Sequence, residues 1–212
     1  MAEVAALILA AGRASRFREG SGLATKMVAL WQGEPLVRHV ARAALASRAR
    51  PVLVVTGHAR AEVEQALAGL PVQFVHNAGF ASGLAGSLQS GLAALGPAAR
   101  GVLVLLGDMP QVRAATCDRL MAAFAAAPAQ TVAVLPAFTG AIGNPVLLAR
   151  GLFGEVADLS GDEGARLILP GGRAGVLLVP VEDPGILADV DTPQALAALP
   201  GLVGQTKIAP PA

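Results

Sequence analysis

The chain has 212 residues, with 16 Lys plus Arg against 15 Asp plus Glu and a net charge of +1, a balance that offers no electrostatic footprint for nucleic acid or an anionic membrane. Hydrophobic residues make up 54% and aromatic residues 3%, so one core of Val, Leu and Ala fits a single domain over residues 1–200, with 201–212 expected to be a flexible tail. No run approaches the roughly 20 apolar residues of a membrane span. Glu3 stands where a secretory leader is basic, and the single cysteine, Cys117, has no internal disulfide partner, so a soluble cytoplasmic protein is expected.

Taken in chain order, the first element is an apolar run, Val4–Leu9, that ends abruptly in Ala10-Ala11-Gly12. It reads as a buried strand feeding a small-residue turn, which brings backbone N–H groups close to a ligand. Arg13, Arg16 and Arg18 follow, then Lys26. Cations around such a loop suit a polyphosphate. In a chain whose only lysines are Lys26 and Lys207, a lysine here points to a compact charge. The alternative is a plain strand-to-helix connection with solvated arginines. The spacing matches neither a P-loop nor the G-x-G-x-x-G of a dinucleotide fold.

Helices are expected over Pro35–Ala49, Ala59–Ala68, Leu84–Leu95, Ala114–Ala127, Asp162–Leu169 and Pro193–Leu199, and further strands over Val52–Thr56, Val72–His76, Val102–Leu106, Thr131–Leu135 and Val176–Val179. Near-continuous Val/Leu/Ile strands between helical segments predict an α/β fold, an open and mostly parallel sheet with helices on both sides. Ligands sit at the carboxyl ends of strands in such sheets. After about residue 138 the rhythm breaks. Gly140, Gly143, Asn144-Pro145, Gly151, Gly154 and Gly161 crowd a region read as inserted, site-forming structure.

Three carboxylates stand out. Asp108, in Gly107-Asp108-Met109-Pro110, follows a buried strand and suits a magnesium ion bound together with substrate phosphates. It also reads as a cap for the following helix. In Asp189-Val190-Asp191-Thr192-Pro193, alternation puts both aspartates on one side, and one of them can complete a metal site with Asp108. Thr192-Pro193 is a helix start in its own right. The Gly/Ser/Ala-rich connection Asn77–Ser87 is able to hold a flat base or present N–H groups to an anion. Gly143-Asn144-Pro145 and Asp162-Glu163-Gly164-Ala165-Arg166 read equally as substrate contacts or as a turn and a capped helix.

In this order, LAAGRASRF, Lys26, Glu34-Pro35-Leu36, Gly107–Pro110 and Asp189–Pro193 resemble the nucleotidyltransferase superfamily. Gly83–Leu88, Gly143–Val146 and Gly161–Arg166 narrow the resemblance to its molybdenum cofactor cytidylyltransferase and guanylyltransferase-related branch. The resemblance implies a three-layer α/β/α sandwich with a Rossmann-like, GT-A-like fold. It implies an enzyme that moves a nucleoside monophosphate, CMP from CTP by preference, onto the terminal phosphate of molybdopterin and releases pyrophosphate. Leu9, Ala10, Ala11 and Gly12 would contact base and phosphates, Arg16 and Lys26 would neutralise the triphosphate, and Asp108 and Asp191 would hold magnesium. Asn77, Gly83, Ser87, Asn144 and Arg166 would line the substrate side. The Ala10-Ala11-Gly12 form favours CTP, since guanylyl-transferring relatives tend to carry a second glycine there. The chain departs from the family pattern at Thr25, where an Asn is usual, and at Ile142, where an Arg is frequent. A sugar-phosphate or isoprenoid-precursor nucleotidyltransferase and a non-catalytic chaperone that hands cofactor to a molybdoenzyme are the rival readings.

Overall fold

Strand β1 (Val4–Ala10) is buried along its whole length, and its side chains alternate between two cores. Ala6, Ile8 and Ala10 point into one, Ala5, Leu7 and Leu9 into the other, as the period of two in a strand demands. A strand covered on both faces has no solvated side to reserve for polar residues, which explains its unbroken apolar sequence. The computed structural model describes residues 4–14, 17, 22–165, 169 and 175–200.

After β1 come β2 (Leu30–Trp31), β3 (Glu34–Pro35), α1 (Leu36–Ala46), β4 (Val52–Thr56), α2 (Arg60–Ala66) and β5 (Gln73–His76). Then follow α3 (Leu84–Ala93), β6 (Gly101–Leu106), α4 (Ala114–Ala126), β7 (Ala133–Phe138), β8 (Ala141–Ile142) and β9 (Val146–Ala149). The last are α5 (Phe153–Val156), β10 (Val176–Pro180) and α6 (Pro193–Ala198). The main sheet has eight strands in the order β10-β7-β9-β6-β1-β4-β5, with β8 on β7. Strand β1 is parallel to both β4 and β6, β4 is parallel to β5, and β7 is parallel to β10. Helices α1, α2 and α4 contribute Val37, Val40, Val63, Cys117 and Leu120 to the core on one face. Helices α3 and α5 contribute Ala85, Leu88, Leu92 and Val156 on the other. This is the expected three-layer, mostly parallel α/β sandwich.

The structure departs from the sequence reading in three places. Strand β9 was not anticipated: it runs antiparallel between β6 and β7, so the glycine-rich region after residue 138 belongs partly to the sheet itself. Leu30–Trp31 and Glu34–Pro35 form a hairpin around Gln32 and Gly33, both at positive φ (52° and 82°) as a type I′ turn requires; the helix expected from Pro35 therefore starts one residue later. A helix was expected over Asp162–Leu169, but Asp162–Ala165 is turn and irregular backbone. Gly164 disfavours helix there, the carbonyl of Gly161 is engaged by the amide of Ala85 at 3.0 Å, and residues 166–168 of the expected helix lie outside the described residues.

A small third core joins Phe17, Ala29, Trp31, Leu36 and Val190, with Ala14, Leu196 and Leu199 packed against it. No described helix is long and apolar enough to cross a membrane.

Candidate active site

The carboxyl ends of β1 and β6 meet at the top of the sheet. The amide of Gly107 donates to the carbonyl of Leu9 at 3.0 Å, and a Cβ on Gly107 would crowd Met27 Sδ at 2.8 Å and that carbonyl at 3.1 Å. Glycine is required at this crossing by close approach, and the next residue, Asp108, projects from the strand end. Its side chain is largely covered, at 13% exposure.

Lys26 opens a 3-10 turn, Lys26–Val28, whose N-cap is Thr25. Thr25 is 1% exposed, and its Oγ1 accepts from the Met27 amide at 3.4 Å. The threonine that departs from the family pattern therefore anchors the turn that aims the lysine. Lys26 Nζ lies 2.5 Å from Asp108 Oδ2 and 2.6 Å from Asp191 Oδ1. Burial alone would lower the lysine pKa, but the Asp108 and Asp191 carboxylates outweigh it and hold the group above its ordinary value. Asp191 arrives because the segment before it is pinned: Val190 is fully buried and its amide bonds the Asp108 carbonyl at 3.0 Å. Thr192 Oγ1 accepts from the Ala195 amide at 3.1 Å, with Pro193 in the first turn of α6. Both readings of this motif hold together: Asp191 faces the site while Thr192 caps the helix. Asp189 is exposed and does not line the cavity. Asp108 is no helix cap, since the N-cap of α4 is Arg113.

These groups open onto a cavity of about 590 Å³. Of the residues singled out in the sequence, Leu9, Ala11, Gly12, Lys26, Gly83, Ser87, Asp108 and Asp191 line it. Ala10 instead faces the core on the opposite side of β1. Asn77 is 6% exposed and acts one step back: its Nδ2 donates to Ser87 Oγ at 3.1 Å and its Oδ1 accepts from the Gly79 amide at 2.9 Å. Asn144 is not among the cavity walls; its amide bonds the Ile186 carbonyl at 2.9 Å, docking the Gly143–Pro145 turn on residues 184–187. Arg16 and Arg166 lie outside the described residues.

The cavity also has walls the sequence reading passed over: Met27, Leu106 and Phe80. Phe80 carries the guanidinium of Arg13 over its ring at 5.7 Å and tilts against His58 at 5.7 Å. Its signal was available, since it is the one aromatic residue in the run Asn77–Ser87.

The donor set suits a hard divalent cation. Two carboxylates from distant parts of the chain converge on one positive charge, and no third acidic, His or Cys side chain joins them in a cluster among the described residues. Magnesium is commonly held this way, by one or two carboxylates with substrate phosphates completing the shell.

Comparison with known proteins gives the chain's family. Residues 6–175 match the family described as the MobA-like NTP transferase domain. The chain belongs to that family, and through it to the nucleotidyltransferase superfamily. Among solved structures, the Rv0371c protein of Mycobacterium tuberculosis is 28% identical, with a TM-score of 0.76 over 92% of this chain and 96% of that one. A manganese complex of Rv0371c superposes with a TM-score of 0.74 at 27% identity, over 93% of this chain and 100% of that one. A nucleotidyl transferase of Methanothermobacter thermautotroptrophicus reaches 0.76 at 26% identity, over 92% and 94%. Among curated proteins, the purine catabolism protein PucB of Bacillus subtilis is 39% identical over 97 residues, 45% of each chain. The bifunctional protein GlmU of Cellvibrio japonicus is 39% identical over 116 residues, 55% of this chain and 24% of its own. The chain thus spans less than half the length of the curated relatives it matches.

Proposed function

We propose that this protein is a magnesium-dependent nucleotidyltransferase that moves CMP from CTP to the terminal phosphate of a molybdopterin-type acceptor and releases pyrophosphate. The observation that carries the reading is the meeting of Lys26, Asp108 and Asp191 at one end of the cavity. The nucleotide and acceptor choices rest on the resemblance in the Ala10–Gly12, Gly143–Val146 and Gly161–Arg166 segments.

On this reading Asp108 and Asp191 would hold the cation, which would supply charge neutralisation to the phosphates when bound. The Gly12–Ala14 loop admits the triphosphate to the strand end with no side chain from Gly12 in its way. Lys26 and Arg13 supply positive charge along it. An acceptor phosphate is ionised near neutral pH and attacks the α-phosphorus directly, so the site requires no strong general base and no covalent intermediate. Catalysis is positioning plus charge neutralisation.

The test is pyrophosphate release with each of the four nucleoside triphosphates, with and without a molybdopterin acceptor. Release that requires both CTP and the acceptor supports the proposal. Turnover of GTP or UTP alone removes the cytidylyl assignment. Acceptor binding without release of pyrophosphate favours the chaperone reading.

A further inference from the structure

The cavity has two unlike ends, set on opposite faces of the sheet. Lys26 and Met27 approach from the face where Met27 joins the core beneath α1, α2 and α4. Leu84 and Ser87 approach from α3, on the other face. Between them the walls are apolar: Leu9, Leu106, Phe80 and Ala81. A flat base fits this stretch while the phosphates lie toward Lys26. Two polar side chains, Ser87 and Asp162, face the cavity at the α3 end.

Their hydrogen-bonding roles are fixed by their surroundings. Ser87 Oγ already accepts from Asn77 Nδ2 at 3.1 Å, and the Asn77 amide is oriented by the Gly79 bond to its Oδ1. The Ser87 hydroxyl therefore has its proton left to donate. Asp162 presents an acceptor, and among the described residues its carboxylate has no hydrogen-bond or ion-pair partner. Its position is nonetheless defined. Gly83 adopts φ +102°, and a Cβ there would fall on the Gly161 carbonyl group and 2.8 Å from the Asp162 amide. The Ala85 amide grips the Gly161 carbonyl at 3.0 Å, and Glu163 braces the same loop by accepting from the Ser160 amide at 2.8 Å. An unpartnered carboxylate on a braced loop, at the wall of a cavity, is a ready acceptor for a ligand donor.

We propose that Asp162 is the residue that reads the base, accepting a hydrogen bond from an exocyclic amine and so selecting an amino-pyrimidine nucleotide over its carbonyl counterpart. Cytosine brings an amine to the position where uracil brings a carbonyl oxygen. Facing uracil, the carboxylate meets a second acceptor and both lose their water without compensation. The Ser87 hydroxyl supplies the complementary donor for a ring acceptor. This inference rests on the nucleotide-binding reading above and adds the residue that sets its specificity.

Calorimetric binding of CTP and of UTP, each with magnesium and no acceptor, tests it on the full chain and on Asp162→Asn. The wild type is expected to favour CTP by roughly tenfold or more, the scale of one hydrogen bond to a charged group. The isosteric Asp162→Asn, which brings a donor, erases or inverts that ratio, and Asp162→Ala lowers it without inversion. An unchanged ratio in both variants, or a wild type indifferent to the base, overturns the assignment while leaving nucleotide binding intact. A wild type that binds neither nucleotide overturns the functional reading itself.

Discussion

The backbone amide of Val190 donates to the carbonyl of Asp108 at 3.0 Å, tying together two segments that lie 82 positions apart in the chain. Each side of this contact carries a carboxylate to the cavity, Asp108 from one and Asp191 from the other. The two acids are therefore paired by main-chain geometry, whatever ion lies between them.

Asp108→Asn and Asp191→Asn should each keep the fold, because the tying bond is main chain to main chain. On the proposed metal role, loss of one of these carboxylates should lower kcat/KM at least about a hundredfold, the scale of removing one electrostatic contact to the transition state. Pyrophosphate release measures the first effect and titration with manganese the second: affinity for the bare cation falls in both variants. A variant with wild-type turnover would remove that acid from the site.

Lys26 occupies the space between the acids, so a cation entering there competes with the ammonium. Lys26→Met should bind manganese more tightly than wild type when no nucleotide is present. It should bind nucleoside triphosphate roughly tenfold to a hundredfold more weakly, as loss of a charge-assisted contact predicts. The two affinities moving in opposite directions is the diagnostic, and joint weakening would count against this arrangement.

Asp183 is 2% exposed and accepts from the Thr116 hydroxyl at 2.6 Å, the Arg113 amide at 3.0 Å and the Gly185 amide at 3.1 Å. It caps α4 from outside and seats the 184–187 turn that leads toward Asp191. Asp183→Ala strands three donors, and urea unfolding should show a loss of about 3 kcal/mol. Asp183→Asn should lose less, since it keeps an acceptor.

Burial, reinforced by the Asp118 and Asp183 carboxylates, pushes the Cys117 thiol up to about 12 from its ordinary value of 9.0. The folded chain keeps this proton at pH values where the unfolded chain has lost it, so stability falls as pH rises from 9 toward 12. Lys26, also raised above its ordinary 10.5, adds a loss of the same sign beginning above that value. Thiol reagents at pH 8 should label Cys117 only in denaturant, with cooperative unfolding midpoints declining above pH 9. Rapid labelling of the native protein would contradict its burial.

The parallel core was legible because strands buried on both faces are almost wholly apolar, as Val4–Ala10, Val52–Val55 and Gly101–Leu106 are, with Thr56 the one polar residue closing the second of them. Strand β9 was hidden because four residues after a cis Asn144-Pro145 bond carry no period and sit among turn residues. Asp108, Asp191 and Lys26 were legible through motif order, and Thr192 through its proline. Asp183 was not: its partners Arg113 and Thr116 lie 70 and 67 residues away, and a lone Asp before Pro reads as a turn. The Asn77–Ser87 bond was hidden for a related reason, since nothing in the sequence shows that a loop asparagine and a helix serine ten residues on are buried against each other.

Trp31, the chain's single tryptophan, sits in the small core that joins Phe17 and Ala14 from the loop after β1 to Val190 beside Asp191. It is 6% exposed and meets the His39 ring edge-on at 4.9 Å. The protein therefore carries its own optical gauge. Because no second indole contributes background, ultraviolet emission from the whole molecule reports on the one apolar knot that ties the loop after β1 to the segment carrying Asp191.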